Sequence, residues 1–395
     1  MTEEEVYPNV LDIGAIPPAQ TGRYKKIIAH HKEKYGCLPV FVARAPGRVN
    51  IIGEHIDYNG YSVLPMAIQQ DIVMAVSLND SGTINLCNTS SKYSDFSTSI
   101  KDFEINSTKP AWHNYFLCGV KGIQESSKLA DTVGLDVTVD GSVPPSAGLS
   151  SSSAMVCCAA LSTMHANKLK ISKMELADTC MRCEWYIGTQ GGGMDQAICF
   201  LAKEGYAKLV DFKPLRATDV KLPKGFVFVI ANTCVEMNKA ATAHFNVRVV
   251  ECRLASQILA KTKGLDWRKN RSLGELHKHL KLSLEELLSL VDEVLHQHPY
   301  DKKEVCELLG VTEEELNKES LSSNTLDVQT FKLYNRSKHV FSEAARVESL
   351  RNSDMTEGGT LGSILFEGHH SASVLYECSC DELDELVEVC RCVCS

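Results

Sequence analysis

The 395-residue chain contains no apolar run long enough to cross a membrane, which for a helix takes about 20 residues. The segment Phe226 to Ala231 is only strand-sized. The first residues, Met1-Thr2-Glu3-Glu4-Glu5, lack the basic start and apolar centre of a secretory signal. Positive charge is also short: 41 Lys and Arg against 50 Asp and Glu leave a formal net charge of −9. That balance disfavours a nucleic-acid or anionic-membrane surface and favours small-molecule chemistry. Cys378-Ser379-Cys380 and Cys390-Arg391-Cys392 lack the two-residue spacing of a zinc ribbon. The 16 cysteines are scattered, several of them in apolar segments, as at Cys157, Cys158 and Cys199. Reduced thiols acting as small hydrophobes are expected, in a cytoplasmic protein.

What is present centres on Gly141-Ser142-Val143-Pro144-Pro145-Ser146-Ala147-Gly148-Leu149-Ser150-Ser151-Ser152-Ser153-Ala154. Before it, Leu135, Val137 and Val139 alternate with Asp136, Thr138 and Asp140, the period of a strand with one buried face. After it, Ala154 to Leu169 has no Pro or Gly and reads as a mostly buried helix. The prolines hold the incoming chain extended, Gly148 permits a turn or close approach, and the serines offer a helix cap. Free N–H groups at the start of that helix favour an anion, of which phosphate is the usual one. No Gly-Lys-Ser or Gly-Lys-Thr follows, so this is not a Walker loop, and a plain serine-capped helix behind a turn fits the loop alone equally well.

Earlier in the chain, residues 20 to 36 read as an amphipathic helix ending at Gly36, with Tyr24, Ile27, Ile28, His31 and Tyr35 on its apolar side. There follows Gly47-Arg48-Val49-Asn50-Ile51-Ile52-Gly53-Glu54-His55-Ile56-Asp57-Tyr58. Charges interleaved with apolar residues and glycines suit paired donors and acceptors for a polar ligand such as a sugar. Trp112, in Trp112-His113-Asn114-Tyr115, reads equally as a core anchor with its N–H satisfied. In Cys183-Glu184-Trp185-Tyr186-Ile187-Gly188-Thr189-Gln190-Gly191-Gly192-Gly193-Met194-Asp195-Gln196, three glycines clear bulk from around Asp195. The apolar run Ile198 to Leu201 then implies that Asp195 is held on regular structure.

The Gly47 to Tyr58 segment resembles the sugar-binding signature of galactokinases, and the Pro-Pro-Ser-Ala-Gly-Leu-Ser-Ser-Ser-Ser loop resembles the phosphate loop of their superfamily, the GHMP kinases. The resemblance runs over most of residues 36 to 349 and implies an α+β, two-domain GHMP kinase fold. Its N-terminal domain, 1–223, would carry a mixed sheet with helices and the sugar and ATP sites; the C-terminal domain, 224–395, would be helix-rich α+β. It implies an ATP-dependent sugar 1-kinase with Asp195 and Arg48 catalytic. Arg48, Glu54, His55, Asp57, Gly193 and Asp195 would bind the sugar. Trp112, Pro145, Ser146, Gly148, Leu149, Ser150, Ser151, Ser152 and Ser153 would bind ATP, and Ser151, Ser152 and Glu184 would hold Mg2+. Partners would be sugar and ATP alone, with no nucleic acid and no membrane, and the protein a monomer.

Phe245, in His244-Phe245-Asn246-Val247-Arg248, stands where galactokinases commonly carry tyrosine. With Ile56, Tyr61 to Met66 and Val235 to Thr242 it makes the chain resemble the N-acetylgalactosamine-phosphorylating branch of vertebrates, with galactose as a poorer substrate. The Gly191 to Gly193 run is then expected to leave room for a 2-acetamido group. In the second half, Gly225 to Asn232 reads as a strand, Ser283 with Glu286 and Thr312 with Glu315 as capping boxes, and Phe331 to Leu350 as a helix. The end departs from the family: Leu383, Leu386, Val387 and Cys390 form one more helix and the family's third glycine-rich motif does not follow, leaving the second domain incomplete. A shortened chain that binds sugar, ATP or partners without turnover is the alternative expectation.

Overall fold

The structure, a computed structural model, describes residues 6–9, 16–108, 111–129, 131–189, 191–222, 225, 227–235, 244–352 and 358–394. The chain divides into two compact units, the first made of residues 1–49, 66–189 and 193–203, the second of 50–65, 190–192 and 204–395.

The first unit opens with α1 (Pro18–Tyr35), stopped by Gly36 in the left-handed conformation, as the sequence predicts. Then come β1 (Phe41–Asn50), β2 (Pro65–Asn79), β3 (Thr83–Asn88), β4 (Phe96–Ser99), α2 (Trp112–Ser126), β5 (Gly134–Gly141), α3 (Ser151–Ala166), α4 (Lys173–Cys183) and α5 (Met194–Leu201). The five strands form one mixed sheet in the order β1-β2-β5-β3-β4, β5 being antiparallel to β2 and parallel to β3. Ile72 to Val76 of β2 are buried on successive residues, because both faces of the sheet are covered. Tyr24 and Ile27 of α1 pack on Val73 and Ala75, while Cys158 and Ser162 of α3 reach Ile72 and Met74. His31 is wholly buried between the hydroxyls of Ser77 and Thr138, and burial lowers its pKa, keeping it neutral.

The second unit contains the hairpin β6 (Tyr206–Asp211) and β7 (Arg216–Lys221), then α6 (His244–Thr262), α7 (Leu273–Leu280) and α8 (Leu284–Val294). It continues through β8 (Tyr300–Asp301), α9 (Lys302–Leu309), α10 (Glu313–Glu319), β9 (Thr330–Phe331), α11 (Leu333–Asn352), α12 (Gly358–Val374) and α13 (Asp381–Cys394). Both expected capping boxes form, at Ser283 with Glu286 and at Thr312 with Glu315. Helices α6 and α11 are locked by a buried ion pair, Arg336 Nε to Glu251 Oε2 at 2.6 Å, and Glu251 Oε1 also accepts the N–H of Lys332 at 2.7 Å. The expected mixed sheet with helices, followed by a helix-rich part, is the observed α+β architecture.

One expected strand does not form. Residues 227–232 have no strand assignment, and Val227 and Val229 are 84% and 86% exposed. The β-rich composition is there, but among the described residues no neighbouring strand supplies ladder hydrogen bonds, and an isolated strand is not stable in water. Pro223, Lys224, Phe226 and residues 236–243 lie outside the described residues. The cysteines from Cys37 to Cys392 are free of disulfides, and Cys157 and Cys158 are fully buried, in keeping with their reading as small hydrophobes.

Helices α2 and α3 cross closely at Gly119, where an added Cβ would lie 2.5 Å from Val156 O and 2.8 Å from Ala160 N. Backbone is the obstacle, so the helices must separate to admit a methyl. Although alanine is the better helix former by about 1 kcal/mol, overpacking costs about 1–3 kcal/mol. Gly119→Ala is therefore expected to lower the unfolding free energy in urea titration; a gain in stability would mean that the crossing is looser than described.

Candidate functional site

In the first unit Arg48, near the end of β1, is 5% exposed. Its guanidinium donates from Nε to Asp195 Oδ1 at 2.6 Å and from Nη1 to Gly148 O at 2.7 Å, and its backbone N–H donates to Leu149 O at 3.2 Å. A buried guanidinium needs such partners, and here they come from the serine-rich loop and from the first turn of α5. Ser153 Oγ donates to the other oxygen of Asp195 at 3.3 Å. The loop lies directly on β1: a Cβ on Gly47 would meet Leu149 O at 2.8 Å. Arg48, Gly148, Leu149, Ser153 and Asp195 are thus brought together, and Asp195 is held on a helix, as its apolar followers predict.

The start of α3 differs from the expected serine cap. Ser150 occupies the N-cap position in the left-handed conformation, φ 59°, and its side chain makes no cap bond. Its hydroxyl is buried without a hydrogen-bond partner among the described residues. A side-chain cap needs extended backbone at that residue, which the tight turn through Ser146, Gly148 and Ser150, all at positive φ, does not provide. The first helical bond runs from Ala154 N to Ser150 O. The N–H groups of Ser151, Ser152 and Ser153 therefore precede the ladder, an arrangement that suits phosphate oxygens. Pro145 and Ser146 lie in the same turn.

Glu184 follows α4 and is 7% exposed. Its charge adds to burial in pushing the Tyr115 hydroxyl up to about 12, and does the same in direction to the Cys118 thiol. Among the described residues no group of three or more His, Cys, Asp or Glu side chains converges as a metal cage. A single buried carboxylate suits Mg2+, which keeps waters and takes phosphate oxygens rather than an all-protein shell. Trp112 begins α2 and donates its indole N–H to Ser94 O at 3.1 Å, beside Tyr93.

In the second unit Glu54, His55 and Asp57 lie on a short loop. Glu54 Oε2 accepts from Asn50 Nδ2 at 3.4 Å, and its carboxylate side chain is 43% exposed. His55 stands at φ 63° with Nδ1 against Tyr58 Oη at 3.1 Å, and its ring lies 4.9 Å from Tyr376 and 5.8 Å from Phe245. Tyr58 and Tyr376 share a hydroxyl–hydroxyl bond, and burial raises both pKa values well above the usual range. Asp57 opens a helical turn.

Gly192 is not the vacancy expected of the glycine run for an acetamido group, whereas a Cβ on Gly191 would meet nothing within 4 Å. A Cβ on Gly192 would meet Tyr58 N at 2.3 Å and the Asp57 carbonyl carbon at 2.4 Å, so the missing side chain lets two backbone segments touch. Gly193 is the N-cap of α5 at φ 106°. Sequence reasoning missed Tyr376, wholly buried beyond the family-like part of the chain, and the backbone partners of Glu54. Only the spacing of His339 and Glu343, four apart on α11, hints at the latter.

Comparison with known proteins bears on both units. Residues 29–78 match the galactokinase galactose-binding signature, and residues 114–203 match the GHMP kinases N terminal domain. The chain is 39% identical to a galactokinase of Dictyostelium discoideum over 93% of its own length and 80% of the relative's. To a galactokinase of Saccharomyces cerevisiae it is 34% identical, covering 95% and 82%. Among solved structures, Lactococcus lactis galactokinase complexed with galactose superposes with a TM-score of 0.70 at 22% identity, over 93% of this chain and 84% of that one.

Gly192→Ala is expected to lower the thermal midpoint by several degrees, since about 1–3 kcal/mol of overpacking moves a domain of this size by about 2–4 °C per kcal/mol. Gly191→Ala, with nothing within 4 Å of its Cβ, is expected to be near-silent. Equal shifts for the two would contradict the close approach.

Proposed function

Because the chain belongs to the galactokinase family of GHMP kinases, we propose that it transfers the γ-phosphoryl group of ATP to the anomeric hydroxyl of galactose and, preferentially, of N-acetylgalactosamine. The observation that carries this reading is the buried Arg48–Asp195 pair set against the serine-rich loop. In phosphoryl transfer the protein works mainly by positioning and electrostatics, and a fixed carboxylate beside a fixed guanidinium serves both.

Asp195 accepts or orients the proton of the attacking hydroxyl, and Arg48 keeps Asp195 ionised and counters charge on the transferring group. Pro145, Ser146, Gly148, Leu149, Ser150, Ser151, Ser152 and Ser153 receive the phosphates of ATP, with Trp112 beside the base. Glu54, His55, Asp57 and Gly193 hold the sugar. Glu184 with Ser151 and Ser152 holds Mg2+, whose charge, when bound, helps to neutralise the phosphates. The preference for N-acetylgalactosamine is supported by Phe245, whose ring packs 5.4 Å from Tyr58 and 5.8 Å from His55 and offers carbon where the family commonly offers a hydroxyl. We further propose that the protein is a cytoplasmic monomer.

The test is ATP-dependent phosphorylation of both sugars by the purified chain, with Asp195→Asn alongside. Formation of sugar 1-phosphate is expected, with kcat for Asp195→Asn lower by about 10²–10⁴. A folded chain that phosphorylates neither sugar, or an unimpaired Asp195→Asn, would contradict the proposal.

A further inference from the structure

The peptide groups on either side of Glu54 are held by one face of α11. Upstream, Ile51 N donates to Leu64 O and Leu64 N to Ile52 O, both at 3.0 Å, which fixes the chain as it enters the loop. Gly53 then sits on Val63 so closely that a Cβ would lie 2.9 Å from a Val63 methyl. From there two successive backbone N–H groups, of Gly53 and Glu54, converge on a single oxygen, Glu343 Oε1, at 2.8 and 3.1 Å. On the other side of the same residue, Glu54 O accepts from His339 Nε2 at 2.9 Å. His339 and Glu343 are one helical turn apart, so a single rigid element holds both polar edges of Glu54.

Both side chains are themselves fixed. Glu343 is 2% exposed, and its second oxygen accepts from Arg346 Nε at 2.8 Å. His339 is fully buried, and desolvation lowers its pKa, so it is neutral. A carbonyl can only accept, so Nε2 carries the proton and Nδ1 accepts from Ser371 Oγ on α12, 2.9 Å away. Core packing alone does not call for a buried carboxylate and a buried imidazole that each turn one polar atom to the backbone of the same residue. A device that fixes the direction of the Glu54 and His55 side chains does, because His55 follows directly in a left-handed conformation that pins the next turn.

We infer that Glu343 and His339 are positioning residues for sugar recognition, acting through the backbone of Gly53 and Glu54. The inference rests on the reading of Glu54 and His55 as sugar-binding residues. Neither α11 residue touches substrate in this account; each holds the residues that do.

The variants are Glu343→Ala and His339→Leu, which remove the acceptor and the donor, and His339→Gln, whose amide N–H reaches the place of Nε2. Galactose binding without ATP is measured by calorimetry, and KM for galactose and for ATP by steady-state kinetics. Glu343→Ala and His339→Leu are expected to weaken galactose binding and raise its KM about tenfold, with KM for ATP within twofold of native. His339→Gln is expected to recover most of the loss, and it keeps the test alive where Glu343→Ala fails to fold. Native binding matched by both loss variants, or equal rises in the two KM values without rescue by His339→Gln, overturns the inference and leaves the sugar site standing. A native chain that binds no galactose overturns both.

Discussion

A guanidinium withdrawn from water at the end of β1 is the constraint around which the first unit is arranged. Arg48 has Asp195 and Gly148 O as acceptors, and its own N–H is bonded to Leu149 O. An unpaired buried charge costs several kcal/mol, so the loop and the first turn of α5 cannot drift without exposing that cost. The same contacts explain Gly47, whose bare Cα lets the loop lie on the strand. They also explain why Ser150 tolerates a left-handed backbone and forgoes its cap bond. A helix start left open toward anions is a local sacrifice of stability, and the paired charge beside it keeps the opening in shape.

The second unit uses buried polar groups in a parallel way. Arg336 joins Glu251 of α6 to Glu377 and Leu375 O beyond α12, and its guanidinium lies 5.5 Å from the Tyr376 ring. Tyr376 in turn meets Tyr58, Cys252 and the rings of His55 and His339. The loop bearing Glu54 and His55 is therefore built on a core to which residues late in the chain contribute. A substitution near Tyr376 acts on that loop although nothing in local sequence connects them.

Features set by neighbours in sequence were legible in advance. The strand ending at Gly141, the stop at Gly36 and the capping boxes at Ser283 and Thr312 all follow from period, cap or turn chemistry within a few residues, as does most of the helix expected over Phe331 to Leu350, which begins instead at Leu333 because Phe331 of β9 pairs with Tyr300. The motif residues Arg48, Gly148 and Asp195 were legible through the family resemblance, and their meeting is a tertiary fact that spacing alone does not give. Three things were not legible because they depend on remote partners. Gly192 is bare because Asp57 and Tyr58 lie against it; Val227 and Val229 carry strand propensity without a ladder among the described residues; Glu343 reads as an ordinary helix residue until Gly53 is placed beside it.

The forked geometry of Arg48, and not its charge alone, holds Asp195 and the loop in register. Arg48→Lys keeps the charge and loses the fork. The measurement is the single-turnover rate of phosphoryl transfer in Arg48→Lys saturated with ATP and galactose, set beside its equilibrium affinity for each. The rate is expected to be lower by about 10²-fold or more, as misplacement of a positioned group costs, with weaker affinity for ATP, whose phosphates the loop receives. A rate within threefold of native would show that charge suffices and that the Arg48 fork is not what organises this site.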